Sequence, residues 1–134
     1  MIIRNFILTK LYKFFMAKTQ TINDLFLEWS NLNSKVQESF GEFDFSKIKE
    51  IRGKQNKIED NIYKILKESA PENIKQMLPD ECGDLEVGYE IEEKKFYFVM
   101  EDSENSTDDE LKLIAFTIDI KKNVTLIENF EFND

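Results

Sequence analysis

The sequence predicts an α+β fold, in which an N-terminal helical hairpin and a short third helix pack on a four-stranded antiparallel β-meander. Apolar residues recur at alternating spacings of three and four from about residue 22 to residue 65, as in amphipathic helices. From residue 85 the period changes to two, as in half-buried strands. The 134 residues suit one domain, and 12 Phe, 4 Tyr and 1 Trp can fill its core.

The first 18 residues differ from the rest of the chain, because they are apolar and carry four basic residues but no acid. They end at Met16-Ala17-Lys18, which resembles a second translation start. The segment is a poor signal peptide, and it is too short and too charged to span a membrane. We expect residues 1–18 to be a leader or a misassigned start, or else a helix that docks on the fold or on a membrane, with one domain at residues 19–134.

Three helices are predicted, at about residues 21–40, 46–69 and 71–78. Thr21 with Asp24 has the pattern of an N-cap, and Gly41 is expected to end the first helix. The Glu-Phe-Asp-Phe link that follows is short, so the first two helices should lie antiparallel. The apolar stripes are Ile22, Leu25, Trp29, Leu32 and Val36 in the first helix, and Ile48, Ile51, Ile58, Ile62 and Ile65 in the second.

These helical stripes are first interpreted as core. The alternative is that part of the second stripe forms the interface of a homodimer, with the polar Gln55 fixing its register. That candidate seam consists of Ile51, Gln55, Ile58 and Ile62.

Four strands are predicted, at about residues 85–92, 95–101, 111–120 and 124–132. Tight turns are expected near Lys94 and at Lys121-Lys122-Asn123. Glu128 breaks the alternation of the last strand and indicates a bulge.

Several classes of chemistry are disfavoured by the residue types. Histidine is absent, and no glycine-rich phosphate loop occurs. The single Cys82 lies among Asp80, Glu81 and Asp84, so its thiol should keep a high pKa. The acidic loop 102–110 has Thr107 where a calcium loop needs glycine. We therefore expect no catalytic residue, no metal site and no cofactor, and carboxylates that titrate normally.

The charge distribution indicates the kind of partner. The net charge is −9, and the chain after residue 18 holds 14 basic and 27 acidic residues, a net charge of −13. Such a surface repels nucleic acid and favours a basic protein partner, or else it simply keeps the chain soluble. We expect no stable membrane insertion and a cytoplasmic location, since one cysteine cannot form an internal disulfide.

The face of the sheet that points away from the helices is the candidate partner-binding surface. Its alternation predicts a small apolar centre inside a rim of carboxylates, the usual layout of an interface. The predicted residues are Glu86, Glu90, Tyr97, Val99, Glu101, Asp119, Ile127 and Glu131. A solvated sheet face with scattered apolar residues is the alternative.

Residues 58–134 contain a series of short amphipathic runs. These runs are Ile62-Tyr63-Lys64-Ile65-Leu66, Pro71-Glu72, Tyr89-Glu90, Phe96-Tyr97-Phe98, Phe116-Thr117-Ile118-Asp119 and the closing Phe130-Glu131-Phe132-Asn133-Asp134. Together they resemble the YezG-type immunity or antitoxin proteins. The chain departs from the family at Asn73-Ile74, where a tryptophan is usual, and by the added helical segment 20–57. The resemblance implies a small acidic protein that neutralises a toxin.

The leading hypothesis is a non-catalytic protein that binds a basic partner, as an immunity protein, an antitoxin or a secretion chaperone does. A structural subunit that assembles through its helical hairpin is the first alternative. An enzyme of unrecognised type is the second, and a carboxylate with a strongly raised pKa in a pocket would favour it.

Overall fold

The structure, a computed structural model, describes residues 21–132. It confirms the predicted α+β fold, with two long helices and one short helix followed by a four-stranded antiparallel sheet. The predicted leader at residues 1–18 lies outside the described residues. The elements are α1 (Ile22–Gly41), α2 (Phe45–Ser69), α3 (Glu72–Lys75), a 3₁₀ turn (Cys82–Asp84), β1 (Glu86–Glu90), β2 (Lys95–Glu101), β3 (Leu113–Asp119) and β4 (Val124–Ile127).

Helix α1 begins at a capping box, as its sequence predicts. The Thr21 hydroxyl accepts a hydrogen bond from the backbone N–H of Asp24, and the Asp24 carboxylate accepts one from the N–H of Thr21, each at 3.1 Å. The two side chains therefore satisfy two amide groups that the first turn would leave unpaired.

Helix α1 ends at Gly41, as predicted, but through a different residue in the left-handed conformation. Gly41 is the last helical residue, and the left-handed residue is Phe43, with a φ of 57°. The N–H of Phe43 donates to the carbonyl of Phe40 at 3.1 Å, and that of Asp44 donates to Ser39 at 3.0 Å. This is a Schellman motif, whose left-handed position glycine usually occupies. Gly41 is therefore the residue at which the helix ends, and Phe43 is the residue in the left-handed conformation.

Helix α2 begins directly after this motif. The Asp44 carboxylate accepts a hydrogen bond from the N–H of Lys47 at 3.1 Å and so caps the helix. Helix α2 runs antiparallel to α1, whereas α3 is only one turn long and much shorter than the predicted 71–78. Pro71 is its N-cap, and single turns continue the chain as far as Leu78.

The sheet is the predicted meander, with strand order β1-β2-β3-β4 and every pair antiparallel. Its strands are shorter than predicted at three places. Strand β1 ends at Glu90, so Ile91 lies exposed in the turn 91–94. Strand β3 starts at Leu113, and β4 ends at Ile127.

The chain after β4 contains the extra residue that Glu128 indicated. Ile127 lies opposite Ala115, and the N–H of Phe130 donates to the carbonyl of Leu113 at 2.9 Å. The two-residue step from Ala115 to Leu113 on β3 therefore corresponds to a three-residue step, from Ile127 to Phe130, on the opposite segment. The segment 127–130 therefore contains one extra residue, which is the general definition of a β-bulge, and Asn129 within it has a φ of 51°.

The helices cover one face of the sheet through aromatic packing. The rings of Phe26 and Trp29 lie 4.6 Å and 5.2 Å from the ring of Phe96, and the Tyr63 ring lies 5.3 Å from Phe98. Phe96, Phe98, Phe116 and Ile118 are fully buried beneath them. Within residues 21–132, no helix combines the length and the apolar composition that a membrane crossing needs.

Candidate functional site

The predicted partner-binding residues in the strands do share the outer face of the sheet. Glu86 lies opposite Val99, Val99 opposite Ala115, and Ala115 opposite Ile127. Directly opposed residues in antiparallel strands point to the same side. The same registers place Glu90, Tyr97, Glu101 and Asp119 on this face, whereas Glu131 lies beyond β4, outside any strand.

The centre of the outer face is less exposed than the alternation predicted. Val99 is only 3% exposed, so its proposed place in an exposed apolar centre is wrong. The ring of Phe130 lies 5.7 Å from that of Tyr97, and Phe132 packs on Phe130 at 5.1 Å. The segment after the bulge therefore lies against part of the surface that the prediction left open.

Asp119 has a structural task at the edge of this face. Its carboxylate accepts hydrogen bonds from the N–H groups of Lys121 and Asn123 at 2.8 Å and 2.9 Å, and from the Asn123 amide at 3.1 Å. Desolvation alone would raise the pKa of Asp119, but the bonds from Asn123 and Lys121 lower it. Asp119 thus closes the β3–β4 turn. The outer face keeps Glu86 and Glu90 exposed on the edge strand β1, Glu101 on β2 and Ile127 on the opposite edge strand β4.

The candidate oligomer seam lies inside the chain. Ile51, Gln55, Ile58 and Ile62 are all buried, and Gln55 and Ile62 are completely so. The Gln55 amide donates to the Trp29 carbonyl at 3.3 Å and to Asn33 Oδ1 at 3.5 Å. Its oxygen accepts from Arg52 at 2.5 Å. Gln55 therefore links α2 to α1 within one chain, and the seam offers no surface to a second copy.

Within residues 21–132, three of the four exposed phenylalanines lie at the turn between α1 and α2, which we call the hairpin tip (Phe40, Phe43 and Phe45). These side chains are 54%, 77% and 63% exposed. The Phe40 and Phe45 rings touch edge to face, 6.5 Å apart. With about 150–250 Å² per buried aromatic side chain, the tip exposes about 300–500 Å², as large as the largest patch on most monomers.

The hairpin tip is also chemically unusual. Phe43 occupies a left-handed position, which costs a residue with a Cβ about 1–2 kcal/mol, and gains little burial in return. Residues 38–46 contain the acids Glu38, Glu42 and Asp44 and no base. The tip thus combines an apolar centre with a negative surround. From the sequence, residues 42–45 were interpreted only as a short link between the helices. Three phenylalanines at spacings of three and two were the pattern that could have indicated an exposed aromatic cluster there.

A second feature is an open cleft of about 1120 Å³ between α2 and residues 80–87. Glu59 from α2 and Cys82 from the 3₁₀ turn line it. Burial raises the pKa of Glu59, a nearby Arg52 lowers it, and the indole N–H of Trp29 lowers it further without reaching hydrogen-bond geometry. The expectation that all carboxylates titrate normally is therefore wrong for Glu59, as it is for Asp119.

Two groups of the cleft, the Cys82 thiol and the Tyr63 hydroxyl, stay protonated at neutral pH. Burial raises the pKa of the Cys82 thiol to about 12, with the charges of Glu59 and Asp60 adding to the effect. The high pKa predicted for this thiol is confirmed, although burial and not the flanking acids is its main cause. Burial also raises the pKa of Tyr63 to about 12, and its hydroxyl donates to the Pro79 carbonyl. Neither group is an activated nucleophile or base.

Within residues 21–132, no group of three or more His, Cys, Asp or Glu side chains is placed to hold a metal ion. Comparison of the chain with protein families, with curated proteins and with solved structures gives no match. The hairpin tip, the sheet face and the cleft are therefore the three candidate sites of the chain.

Proposed function

We propose that this chain is a small, acidic, non-catalytic protein-binding module whose partner is a basic protein. The observation that carries the proposal is the hairpin tip, where three exposed phenylalanines stand within an acidic stretch. Aromatic residues at the centre of an interface supply much of its binding energy. A partner pocket that buries Phe43 would explain why a strained and exposed phenylalanine is present.

The charge of the chain supports a basic partner. The carboxylates of the tip and the exposed Glu86, Glu90 and Glu101 of the sheet face carry the same sign. Like-signed surface charges accelerate the association of an oppositely charged protein and make it sensitive to salt. We place the aromatic anchor at the tip and assign the sheet carboxylates to electrostatic attraction.

Among acidic binding modules, we favour an immunity protein, an antitoxin or a secretion chaperone. The resemblance of residues 58–134 to YezG-type proteins favours the first two classes. The buried and unpaired thiol of Cys82 suits the reducing cytoplasm, where we expect the protein to act.

An enzyme is the second candidate, and the raised pKa of Glu59 in a cleft is the observation that favours it. General acid catalysis by Glu59 would need a second reactive group. Its neighbours Cys82 and Tyr63 have pKa values of about 12 and cannot serve as nucleophile or base at neutral pH. Binding is therefore the better-supported use of the cleft.

The test is a pull-down from the native host at low salt, with elution by a salt gradient. The baits are the unchanged chain, a tip variant (Phe40→Ser, Phe43→Ser and Phe45→Ser) and a charge variant (Glu86→Lys, Glu90→Lys and Glu101→Lys). We expect one basic protein on the unchanged bait, its loss from the tip variant and its elution at lower salt from the charge variant.

A control variant distinguishes specific binding by the hairpin tip from non-specific binding by any exposed apolar residue. Ile91 and Leu111 are exposed apolar residues outside the tip, and Ile91→Ser with Leu111→Ser should leave retention unchanged. Equal retention by the tip variant would refute the assignment of the anchor. Recovery of only the bait, as a self-associated species, would favour the structural subunit.

A further inference from the structure

The cleft beside α2 holds a buried carboxylate without an ion-pair partner. Glu59 is only 5% exposed, yet it forms no salt bridge within residues 21–132, and the nearby groups that favour its charged form are the Arg52 guanidinium and the Trp29 indole N–H. A buried carboxylate is normally paired, because removing its charge from water is costly. Glu59 lines the cleft, so the missing partner can reach it from solvent.

The surroundings of Glu59 carry an excess of negative charge. Six carboxylates and three bases line the cleft. Two of those bases are already engaged, since Arg52 donates to Gln55 at 2.5 Å and the Lys67 ammonium donates to the Asp80 carbonyl at 3.2 Å. None of the six carboxylates forms a salt bridge in the part of the chain that the structure describes. The cleft is therefore complementary to a cation.

The apolar part of the cleft indicates which cation fits. Tyr63, Leu85 and Val87 line the same space as Glu59. A guanidinium group is planar, weakly hydrated and able to bind a carboxylate through two parallel hydrogen bonds, and its aliphatic stem can lie on apolar walls. An ammonium group is more strongly hydrated and loses more on entering such a cleft.

We propose that this cleft is a binding site for an arginine side chain, with the Glu59 carboxylate as its anchor. This proposal rests on the proposed function and extends it, because it assigns an arginine side chain of the basic partner to the cleft as a second binding site. The cleft is separate from the hairpin tip, since 14 residues of α2 between Phe45 and Glu59 span about 20 Å. The two proposals can therefore fail independently.

The experiment titrates the full chain with a short peptide, N-acetyl-Gly-Ala-Arg-Ala-Gly-amide, and follows backbone ¹H–¹⁵N shifts. The control ligand replaces arginine with citrulline, which keeps the shape and loses the charge. We expect saturable shifts around Glu59, Gly83 and Val87 at millimolar peptide. The citrulline peptide should bind about tenfold or more weakly, as loss of a charge-assisted hydrogen bond implies.

Matched variants identify the anchor. Glu59→Gln should weaken the arginine peptide about tenfold or more. Glu68→Gln removes the same charge from an exposed position of the cleft and should change the affinity less than about threefold, as for a weak surface ion pair. Phe43→Ala should leave the titration unchanged. Equal binding of the two peptides, or equal affinity of the Glu59→Gln chain, would overturn the proposal, as would shifts confined to residues outside the cleft.

Discussion

Phe43 gives the sharpest test of the hairpin tip, because strain and ring exposure can be separated there by substitution. Its φ of 57° should favour glycine over alanine, which is the reverse of the order in a helix. Relief of the left-handed conformation contributes about 1–2 kcal/mol, and the added freedom of glycine in the unfolded chain removes about 0.4–1 kcal/mol. Phe43→Gly should therefore be about 1 kcal/mol more stable than Phe43→Ala.

Urea unfolding of the two variants measures this difference. With a slope of about 1–3 kcal/mol per molar urea, a difference of about 1 kcal/mol moves the midpoint by about 0.3–1 M. Gly53 in α2 is the matched control, because nothing lies within 4 Å of a Cβ added there. Gly53→Ala should stabilise the chain by about 1 kcal/mol, with the opposite sign.

The test depends on opposite effects of alanine and glycine on stability at residues 43 and 53. Both variants at residue 43 remove the ring, so both should lose the partner, whatever their stability. If Phe43→Ala were as stable as Phe43→Gly, the left-handed conformation would not be a source of strain. Phe43 would then impose no energetic cost on the fold, and binding would not be needed to explain its presence.

Three further predictions concern the core and the cleft. Burial raises the pKa of Glu59 above its ordinary value of 4.5, so the folded chain holds this proton to higher pH than the unfolded chain, and stability should fall as pH rises through the raised pKa. Glu59→Gln should flatten that part of a urea-derived stability profile, whereas Glu68→Gln should leave it in place. Cys82, buried and with a pKa of about 12, should react with a thiol reagent at pH 8 only after urea unfolds the chain, and rapid reaction of the native chain would contradict its burial. Ile62→Ala should lower the free energy of unfolding by about 2–5 kcal/mol, and dissociation of an oligomer without that loss would restore the seam interpretation.

The order and type of the elements could be predicted because the apolar period follows from backbone geometry. Each apolar stripe of the first two helices can be buried in only one orientation of its helix. The alternation at Phe96 and Phe98 likewise allows only one face of the strand to point to the core. The same reasoning assigned Tyr97 and Ile127 to the outer face correctly. It could not predict that the Phe130 ring lies against Tyr97, because the position of Phe130 depends on a bulge at Asn129 that periodicity does not specify.

The candidate sites were harder to predict, because each depends on a residue in an environment or conformation that is unusual for its type. Glu59 follows Gln55 by four residues and precedes Ile62 by three, so the helical period already placed it on the buried side of α2. The charge of Glu59 obscured that signal, since most glutamates are exposed. The left-handed conformation of Phe43 is set by the Schellman motif and not by the propensity of phenylalanine, which disfavours it.

Site-specific photo-crosslinking in the native host tests the central claim most directly. A benzophenone amino acid replaces Phe43 in one chain and Ile91 in another, since the two side chains are similarly exposed at 77% and 73%. We predict a single adduct with a basic protein from residue 43 and none from residue 91. Equal adducts from both positions, or an adduct from residue 91 alone, would contradict a binding module anchored by its hairpin tip.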